Sequence, residues 1–394
     1  MNNNSEANSI PADSPNPINE KTYPLQFNGN AREYFGIWIV NMLLSILTLG
    51  IYSAWAKVRS RKYLYGNTEL AGRRFDYIAR PVSILKGRLI AFTLLVLYLY
   101  GDAFWWALPL IIGLLIAITF PWILVRSSAF SAYNSTWSGI RFNFDEDLKK
   151  AYKVYLLALF VTVITLGIAY PFLHYSLAKF RITQHKFCGR SFQFSATAGE
   201  YFKLYIKSYL IMIASIILIV IVFFVSGAAT TIGQIQSMQQ AQLEQQEENQ
   251  PETSNADTSD SNNPLEEVNW PVFIATIALA YFAVFALYGV IWAWLQVKLK
   301  NLTWSNIALH NECQFHCNIP VGRMVWISFS NSLVILFSLG LLYPWAHIRA
   351  LRYTLEHVSA HSSADINAFV SAAEHDQAAI GEELGDAFDL DLDF

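Results

Sequence analysis

Two cysteines and a histidine near the C-terminal end of the chain have a spacing that can bind a metal ion. Cys313, His316 and Cys317 form a C-x-x-H-C cluster, and thiolates and imidazoles are ligands of soft metals. A tetrahedral zinc site needs four ligands, and Cys188 with His185 is the other pair that could complete it. This is a weak indication. We expect no metal site, no cofactor, and three free reduced thiols on cytoplasmic segments.

Other polar residues recur within a pattern that occurs three times. The copies run from Thr48 to Tyr63, from Thr165 to Phe180 and from Ser338 to Tyr353. Each has Leu-Gly near its start, then a large aromatic residue, a cationic or imidazole side chain, and a cation followed by an aromatic residue. So many matches without gaps indicate an internal repeat.

Five polar residues of this repeat are candidates for an interior site. Lys57, His174 and His347 occupy one aligned position, and Asn41 aligns with Asn331. Ionisable groups inside a membrane are costly and are functional candidates by default. Alternatively, Lys and His mark the cytoplasmic interface, where their polar ends extend to water. The asparagines fit packing between helices better than contact with a substrate.

Glycine interrupts each copy of the repeat, and proline follows it in the second and third copies. The first apolar run, Tyr34 to Leu47, is shorter than the roughly 20 residues of a spanning helix. We therefore predict two half-helices around a bend in each copy. The predicted bends lie at Gly50, Gly167, Gly340, Pro171 and Pro344.

Composition indicates a helical membrane protein. The 394 residues are 54% hydrophobic and only 14% charged, which is unusual for a soluble protein. Long apolar runs at 84–100, 104–125, 210–225 and 272–294 predict four spanning helices. With the three repeats, the chain has seven apolar segments.

The charges of the connecting segments predict their side of the membrane. Lys57 to Arg88 holds nine cations against two acids, and Lys179 to Lys207 holds six against one. Thr231 to Asn269 holds eight acids and no cation, so it belongs outside. Seven ordinary spans would leave one of these segments on the wrong side. Four spans plus three re-entrant bent elements satisfy the rule, and we favour that arrangement.

A second pattern lies in the cytoplasmic connectors. Segments 67–77, 134–144, 184–194 and 301–311 each flank a turn residue with alternating aromatic and polar residues, as β-hairpins do. They could pair into a small sheet beneath the membrane, because an isolated hairpin is unstable in water. The predicted fold is an all-α polytopic membrane protein with internal repeats and short cytoplasmic β-hairpins.

The ends of the chain differ from its apolar centre. Residues 1–22 predict a disordered tail without a secretory signal, and 23–355 an integral membrane domain that includes the disordered acidic periplasmic loop 231–269. Residues 356–394 form an acidic tail. A solvated tail is the simpler interpretation, and a segment that docks on the basic connectors is the alternative.

The chain resembles the YjgN family of bacterial inner-membrane proteins. The matching segments are FNGNAREYFGIWIVN, TLGIYSAWAKVRSRKYLYGNT, GRRFDY and GRSFQF, within a resemblance over roughly residues 23–355. It implies a multi-pass inner-membrane protein of unassigned biochemical function and carries over no catalytic residue. The acidic loop and tail depart from the family pattern, so their role is undetermined.

No catalytic motif accompanies these features. The sequence has no phosphate loop, HExxH motif or G-x-S-x-G elbow, so we expect no enzyme. Transport of a small solute, ion or lipid is the leading hypothesis, because bent helices often build binding sites within membranes. An envelope scaffold or assembly factor that binds lipid or protein partners is the alternative. We expect contact with the bilayer, anionic lipids at the basic connectors, no nucleic acid, and cytoplasmic termini.

Overall fold

The computed structural model describes residues 21–248, 270–310, 313–362, 365–368 and 370–371. Within these residues, pairs of helices alternate along the chain with pairs of short strands. The ten helices are α1 Ala31–Leu47, α2 Ser53–Gly66, α3 Pro81–Tyr100, α4 Leu108–Tyr133, α5 Leu148–Ile164, α6 Tyr170–Gln184, α7 Ala198–Glu248, α8 Trp270–Ser305, α9 Val321–Phe337 and α10 Tyr343–Leu355. The ten strands are β1 Lys21–Phe27, β2 Thr68–Leu70, β3 Arg73–Tyr77, β4 Ser135–Trp137, β5 Ile140–Phe144, β6 His185–Phe187, β7 Arg190–Phe194, β8 Ile307–Leu309, β9 Cys313–Cys317 and β10 Val358–Ser362.

The strands close into one antiparallel barrel with the order β1-β10-β9-β8-β7-β6-β5-β4-β3-β2. Our prediction of an all-α fold with short hairpins was wrong. Closure depends on β1 and β10, which come from opposite ends of the chain and pair with Tyr23 opposite Ala360. In a closed barrel every strand has two neighbours, so strands of three to seven residues are held in place and no edge stays open.

Three of the hairpin segments contain strand pairs, and the fourth hairpin is displaced along the chain. We placed the fourth at 301–311, but its strands are β8 and β9, because residues 301–305 continue α8. The Asn301 side chain accepts a hydrogen bond from the Ile319 N–H and donates one to the Ile319 carbonyl, both at 3.0 Å. This paired contact joins the end of α8 to the segment between β9 and α9.

The barrel has two distinct rims. Because consecutive hairpins pair antiparallel, their turns gather at one rim, which we call the turn rim, and the strands join the helices at the other, the helix rim. Positive φ occurs at both central residues of three turns, as in the type I′ turns that suit twisted hairpins. These pairs are Ala71-Gly72, Ser138-Gly139 and Cys188-Gly189.

The three repeated segments fold alike, each as two helices joined by a tight Leu-Gly turn. Leu49 and Gly50 have φ of 48° and 90°. The Gly50 N–H donates to the Ser45 carbonyl at 2.7 Å and the Leu49 N–H donates to the Ile46 carbonyl at 3.1 Å, which is a Schellman motif. Equivalent bonds and positive φ values occur at Leu166-Gly167 and Leu339-Gly340. The glycines therefore end a helix and reverse the chain.

The two helices of a repeat run antiparallel, so both attach to the barrel. In the first repeat, Tyr34 stacks on Tyr63 at 5.7 Å, and Asn41 donates to the Ala56 carbonyl at 3.4 Å. The turn leucine, Leu49, is 95% exposed. A 17-residue helix spans about 26 Å, less than the roughly 30 Å hydrocarbon core. An exposed apolar tip on so short a hairpin suits insertion into lipid from one side.

Pro171 and Pro344 lie in the first turn of α6 and α10, after the chain has reversed. A proline is tolerated there because the first helical N–H groups have no partner within the helix. The prolines therefore begin the returning helix, while the leucine and glycine make the turn.

Four described segments are long and apolar enough to cross a membrane. They are Pro81–Ala103, Leu108–Tyr133, Ala198–Val222 and Ile277–Ser305. Residues 203–296 form a compact unit of their own, which contains most of α7 and α8. Within it, the Lys207 ammonium lies 5.8 Å from the centre of the Trp294 ring.

The segments predicted as loop and tails are partly ordered. Residues 231–248, predicted to be disordered, belong to α7, because Gln, Ala, Leu and Glu favour a helix. Strand β10 lies within the predicted tail 356–394. Residues 1–20, 249–269 and 372–394 lie outside the described residues.

Candidate functional site

The barrel contains an apolar cavity of about 280 Å³. Its wall comes from the inward-facing residues of the strands, from helix ends at the helix rim, and from one residue after β10. The lining residues are Leu25, Leu70, Phe75, Trp137, Phe142, Ile182, His185, Phe187, Phe192, Trp304, Ile307, Leu309, Cys313, Phe315, Ser362 and Ile366. Almost all are hydrocarbon or aromatic, so the cavity is suited to an apolar ligand.

Strand register explains this wall. Successive side chains of a strand alternate between the two faces of the sheet, and residues directly opposite on paired strands share a face. At the five junctions between neighbouring strand pairs, the opposite residues are Leu25 and Leu70, Phe75 and Trp137, Phe142 and Phe187, Phe192 and Leu309, and Phe315 and Ala360. Each junction therefore contributes an apolar pair to the interior.

Aromatic contacts connect part of the wall into a continuous surface. The rings of Phe75 and Trp137 stack at 6.0 Å, those of Trp137 and Phe187 lie 5.5 Å apart, and those of Phe187 and Phe142 lie 4.9 Å apart. The Trp137 indole N–H donates to the Arg73 carbonyl at 3.3 Å, which satisfies its polar group. Such aromatic pairs add roughly 1 kcal/mol each beyond their buried area, so this side of the wall is well defined.

The turn rim is covered by the residues that follow β10. We call residues 365–368 and 370–371 the C-terminal plug. Ile366 and Val370 are buried in the barrel core, and Ile366 also lines the cavity. The Arg73 side chain donates to Asn367 Oδ1 at 3.1 Å and to Ser371 Oγ at 3.2 Å. The plug is therefore held by apolar burial and by one arginine of β3.

Asp365 fixes the start of the plug. Its carboxylate accepts from the Asn367 N–H at 2.9 Å and from the Lys21 ammonium at 3.2 Å. These bonds, the backbone N–H first, lower the pKa of Asp365 below its ordinary value. Both side chains are exposed, so the ion pair adds little to stability.

At the helix rim the cavity is bordered by Ile182, Trp304 and His185. The His185 ring bonds through Nδ1 to the Arg181 carbonyl at 2.6 Å and meets the Phe144 ring edge-on at 5.0 Å. Burial lowers the pKa of His185 below its ordinary value. The imidazole is therefore neutral at pH 7, and the cavity lining carries no charge.

The cysteine cluster belongs to β9. Cys313 lines the cavity and Cys317 is buried four residues later, so both face inward. His316 lies on the opposite face, with its ring 5.8 Å from that of His361. Burial raises the pKa of Cys317 to about 11, which keeps it a protonated thiol. None of the three cysteines forms a disulfide, and no group of three potential metal ligands occurs in the part of the chain that the structure describes.

Asn41 and Asn331 each bond within their own helical hairpin. Asn331 is buried, donates to the Ala346 carbonyl at 2.9 Å and accepts from Arg349 Nη1 at 3.1 Å. Asn41 is also buried, but its donor distances are 3.4 Å and its Oδ1 has no partner among the described residues. Both therefore occupy the packing position between the two helices.

Two of the three aligned ionisable residues have similar surroundings. His174 stacks on Tyr170 at 6.5 Å and His347 stacks on Tyr343 at 5.7 Å, in each case a tyrosine four residues earlier. Each histidine also lies near a tyrosine of another helix, Tyr201 at 5.5 Å from His174 and Tyr34 at 5.9 Å from His347. Lys57, at the same aligned position, is exposed.

The cavity itself was missed from the sequence, although its signal was present. Phe75, Phe142 and Phe192 occupy the same position in the three aligned hairpin segments, which we interpreted as one apolar face of a small sheet. In the structure the sheet closes into a barrel, and this apolar face lines its interior.

Taken together, the apolar helices and the cavity define a membrane protein that carries a closed β-barrel with an apolar interior. The chain belongs to the family described as "Bacterial protein of unknown function (DUF898)", which it matches over residues 22–387. It is 23% identical over 383 residues to "Inner membrane protein YjgN" of Salmonella typhimurium strain LT2, covering 87% of this chain and 89% of that protein. It is 31% identical over 141 residues to the protein of the same name from Escherichia coli strain K12, covering 34% of each. The resemblance to the YjgN family is confirmed. No solved structure matches the chain.

Proposed function

We propose that the protein is a non-enzymatic carrier that binds an apolar or amphipathic molecule in the barrel cavity and transfers it to or from the membrane. The observation that carries this proposal is the uncharged aromatic wall around about 280 Å³ of space. Barrels of similar strand number can enclose one small ligand. The volume lies just below the roughly 300 Å³ at which drug-sized pockets begin, so one acyl chain fits better than a whole phospholipid.

The charge distribution supports a cytoplasmic barrel. Strands β2 and β3 lie within the connector Lys57 to Arg88, and β6 and β7 lie within Lys179 to Lys207. Both connectors are strongly basic, and basic connectors stay in the cytoplasm. Because β1 and β10 are neighbours in the barrel, the two ends of the membrane domain share that side.

Single-cysteine labelling in intact cells tests this topology. The native cysteines are replaced and a cysteine is placed at Ser191, Ser254 or Asn67. Labelling from outside at Ser254 alone is the expected result. Labelling from outside at Ser191 would mean that the barrel does not lie in the cytoplasm.

Cys313 gives a direct test of ligand binding, because its side chain lines the cavity. Cys188→Asn and Cys317→Ser leave it as the single cysteine. Asn suits the positive φ of residue 188, and Ser keeps a donor for Asn301 Oδ1. With decanol as the apolar probe, we expect slower reaction of Cys313 with a thiol reagent. A cysteine at the exposed Gln193 is the control, and it should react at an unchanged rate.

Flux in liposomes tests transport. The same single-cysteine protein is reconstituted, and movement of a fluorescent phospholipid analogue is followed before and after Cys313 is modified with a bulky reagent. Modification of the folded protein should block movement, whereas modification at Gln193 should not. If no lipid or solute moves and a stable partner protein co-purifies, the scaffold alternative replaces this proposal.

A further inference from the structure

A second cleft, of about 380 Å³, lies outside the barrel between α9, α10 and the start of α1. Three arginines line it: Arg323 from α9, and Arg349 and Arg352 from α10. Glu356 is the one acidic residue of the lining. The cleft therefore has an excess of positive charge, contributed by two different helices.

The three arginines have N–H groups that are not used in the hydrogen bonds described here. Arg349 uses Nη1 for its bonds to Ser330 Oγ and Asn331 Oδ1, at 2.9 and 3.1 Å. Arg352 uses Nη2 for a bond of 2.7 Å to the Gly29 carbonyl. Arg323 is exposed and has no hydrogen bond or ion pair with a described residue. Each guanidinium has five N–H groups, so all three can bind a further acceptor.

The start of α1 completes the lining. Asn30 caps this helix and lines the cleft together with Ala31. Glu33 lies in the first turn of α1 and offsets the partial positive charge of the helix N-terminus, so the arginines supply the positive field. Paired N–H groups of arginine match the oxygens of a phosphate ester, so phosphate is the anion that this set of donors fits best.

The cleft combines cationic and apolar side chains. Arg323 lies near the start of α9 and Arg352 near the end of α10, which are the barrel ends of these helices. Ile327 and Trp345 lie farther toward the Leu339-Gly340 turn. The Arg349 guanidinium lies beside them, 5.2 Å from the centre of the Trp345 ring. Cationic donors next to apolar side chains suit an amphiphile that has an anionic headgroup.

The first repeat does not reproduce this arrangement. The position aligned with Arg323 is Glu33, whose carboxylate accepts from the Tyr63 hydroxyl at 3.0 Å. The Arg323 contact of the cleft therefore has no counterpart in the first repeat.

We propose that this cleft binds the phosphate-bearing headgroup of an anionic membrane lipid through Arg323, Arg349 and Arg352. This site lies outside the barrel, so its test is independent of the test of the cavity ligand. Arg323 supplies the most readily tested contact, because its replacement breaks no hydrogen bond or ion pair with a described residue.

The test measures binding by thermal stability of the full chain in detergent, since a ligand of the folded state raises the unfolding temperature. Phosphatidylglycerol, phosphatidylcholine with the same acyl chains, and inorganic phosphate at matched ionic strength are the three probes. We expect saturable stabilisation by phosphatidylglycerol, and Arg323→Gln should raise its half-saturating concentration about tenfold or more, as for loss of one charge-assisted hydrogen bond. Arg59→Gln, an exposed arginine aligned with Arg349, is the matched control and should leave it unchanged.

The other outcomes are also decisive. If inorganic phosphate stabilises with the same dependence on Arg323, the cleft is a phosphate site whose ligand need not be a lipid. Equal stabilisation by phosphatidylcholine and phosphatidylglycerol would overturn the proposal, as would equal affinity of Arg323→Gln and the unaltered protein for phosphatidylglycerol and phosphate.

Discussion

Arg73 donates a hydrogen bond of 3.1 Å to the side-chain carbonyl oxygen of Asn367, although 294 positions separate the two residues in the chain. A second bond of the same guanidinium reaches Ser371 at 3.2 Å. One side chain of β3 thus ties the C-terminal plug to the turn rim, where the plug forms one end of the cavity.

Loss of this arginine should make the cavity easier to enter. In a chain with Cys313 as its single cysteine, we expect Arg73→Gln to speed labelling of Cys313 about tenfold, because about 1.5–3 kcal/mol of hydrogen bonding to a charged group is lost. The labelling rate with a maleimide measures this. Arg74→Gln is the control, since Arg74 makes only a long surface contact of 3.9 Å with Glu69. Equal rates for the two variants would mean that Arg73 does not hold the plug in place.

The two buried asparagines should differ in their contribution to stability. Asn331→Ala removes a 2.9 Å bond to the Ala346 carbonyl and a partner of Arg349, and should cost about 1–3 kcal/mol. Asn41→Ala should cost less, because the Asn41 bonds are 3.4 Å long and its Oδ1 has no partner among the described residues. Denaturation in detergent measures both. Ser332→Ala, an exposed neighbour, should change stability by less than about 0.5 kcal/mol. The opposite order of the two asparagines would contradict this account.

Backbone conformation alone should make replacement of Gly340 destabilising. Its φ is 87° and no atom lies within 4 Å of an added Cβ, so Gly340→Ala has space but an unfavourable conformation. We expect a loss of about 1–2 kcal/mol. Gly36→Ala is the matched control, because Gly36 lies inside α1 with equally open surroundings, and alanine there should stabilise by up to about 1 kcal/mol. Unfolding midpoints of the two variants should therefore move in opposite directions.

His185 should make stability depend on pH. Burial lowers its pKa below the ordinary 6.5 in the folded state, so between the two values the unfolded chain binds more protons. Stability is therefore full above about 6.5 and falls as the pH drops toward the folded pKa. The fall in unfolding temperature between about pH 7.5 and about pH 5.5 should be smaller in His185→Gln. His310→Asn, at an exposed position with a φ of 50°, keeps the local conformation and should behave like the unaltered protein.

Local patterns in the sequence predicted the elements better than their assembly. Hydropathy located the apolar helices, and the Leu-Gly repeats located the three reversals, because both depend on short stretches of chain. The fourth hairpin was displaced because Asn301 is held by Ile319, a contact that no local pattern signals. The barrel was missed because β1 spans the predicted boundary between the disordered tail 1–22 and the membrane domain, and β10 lies in the predicted acidic tail. The cavity exists only because the barrel closes, so the sequence showed its aromatic wall only as separate apolar positions.

The pairing of β1 with β10 sets the order in which the molecule can be completed. Strand β10 follows all ten helices α1 to α10 in the described chain, so the sheet can close only after the last of them has been synthesised. Until then β1 has one unpaired edge, and the aromatic residues that later face the cavity are open to water. A chain that stops before Val358 lacks β10 and cannot close the barrel. Closure of the barrel is therefore a late step in the assembly of this protein.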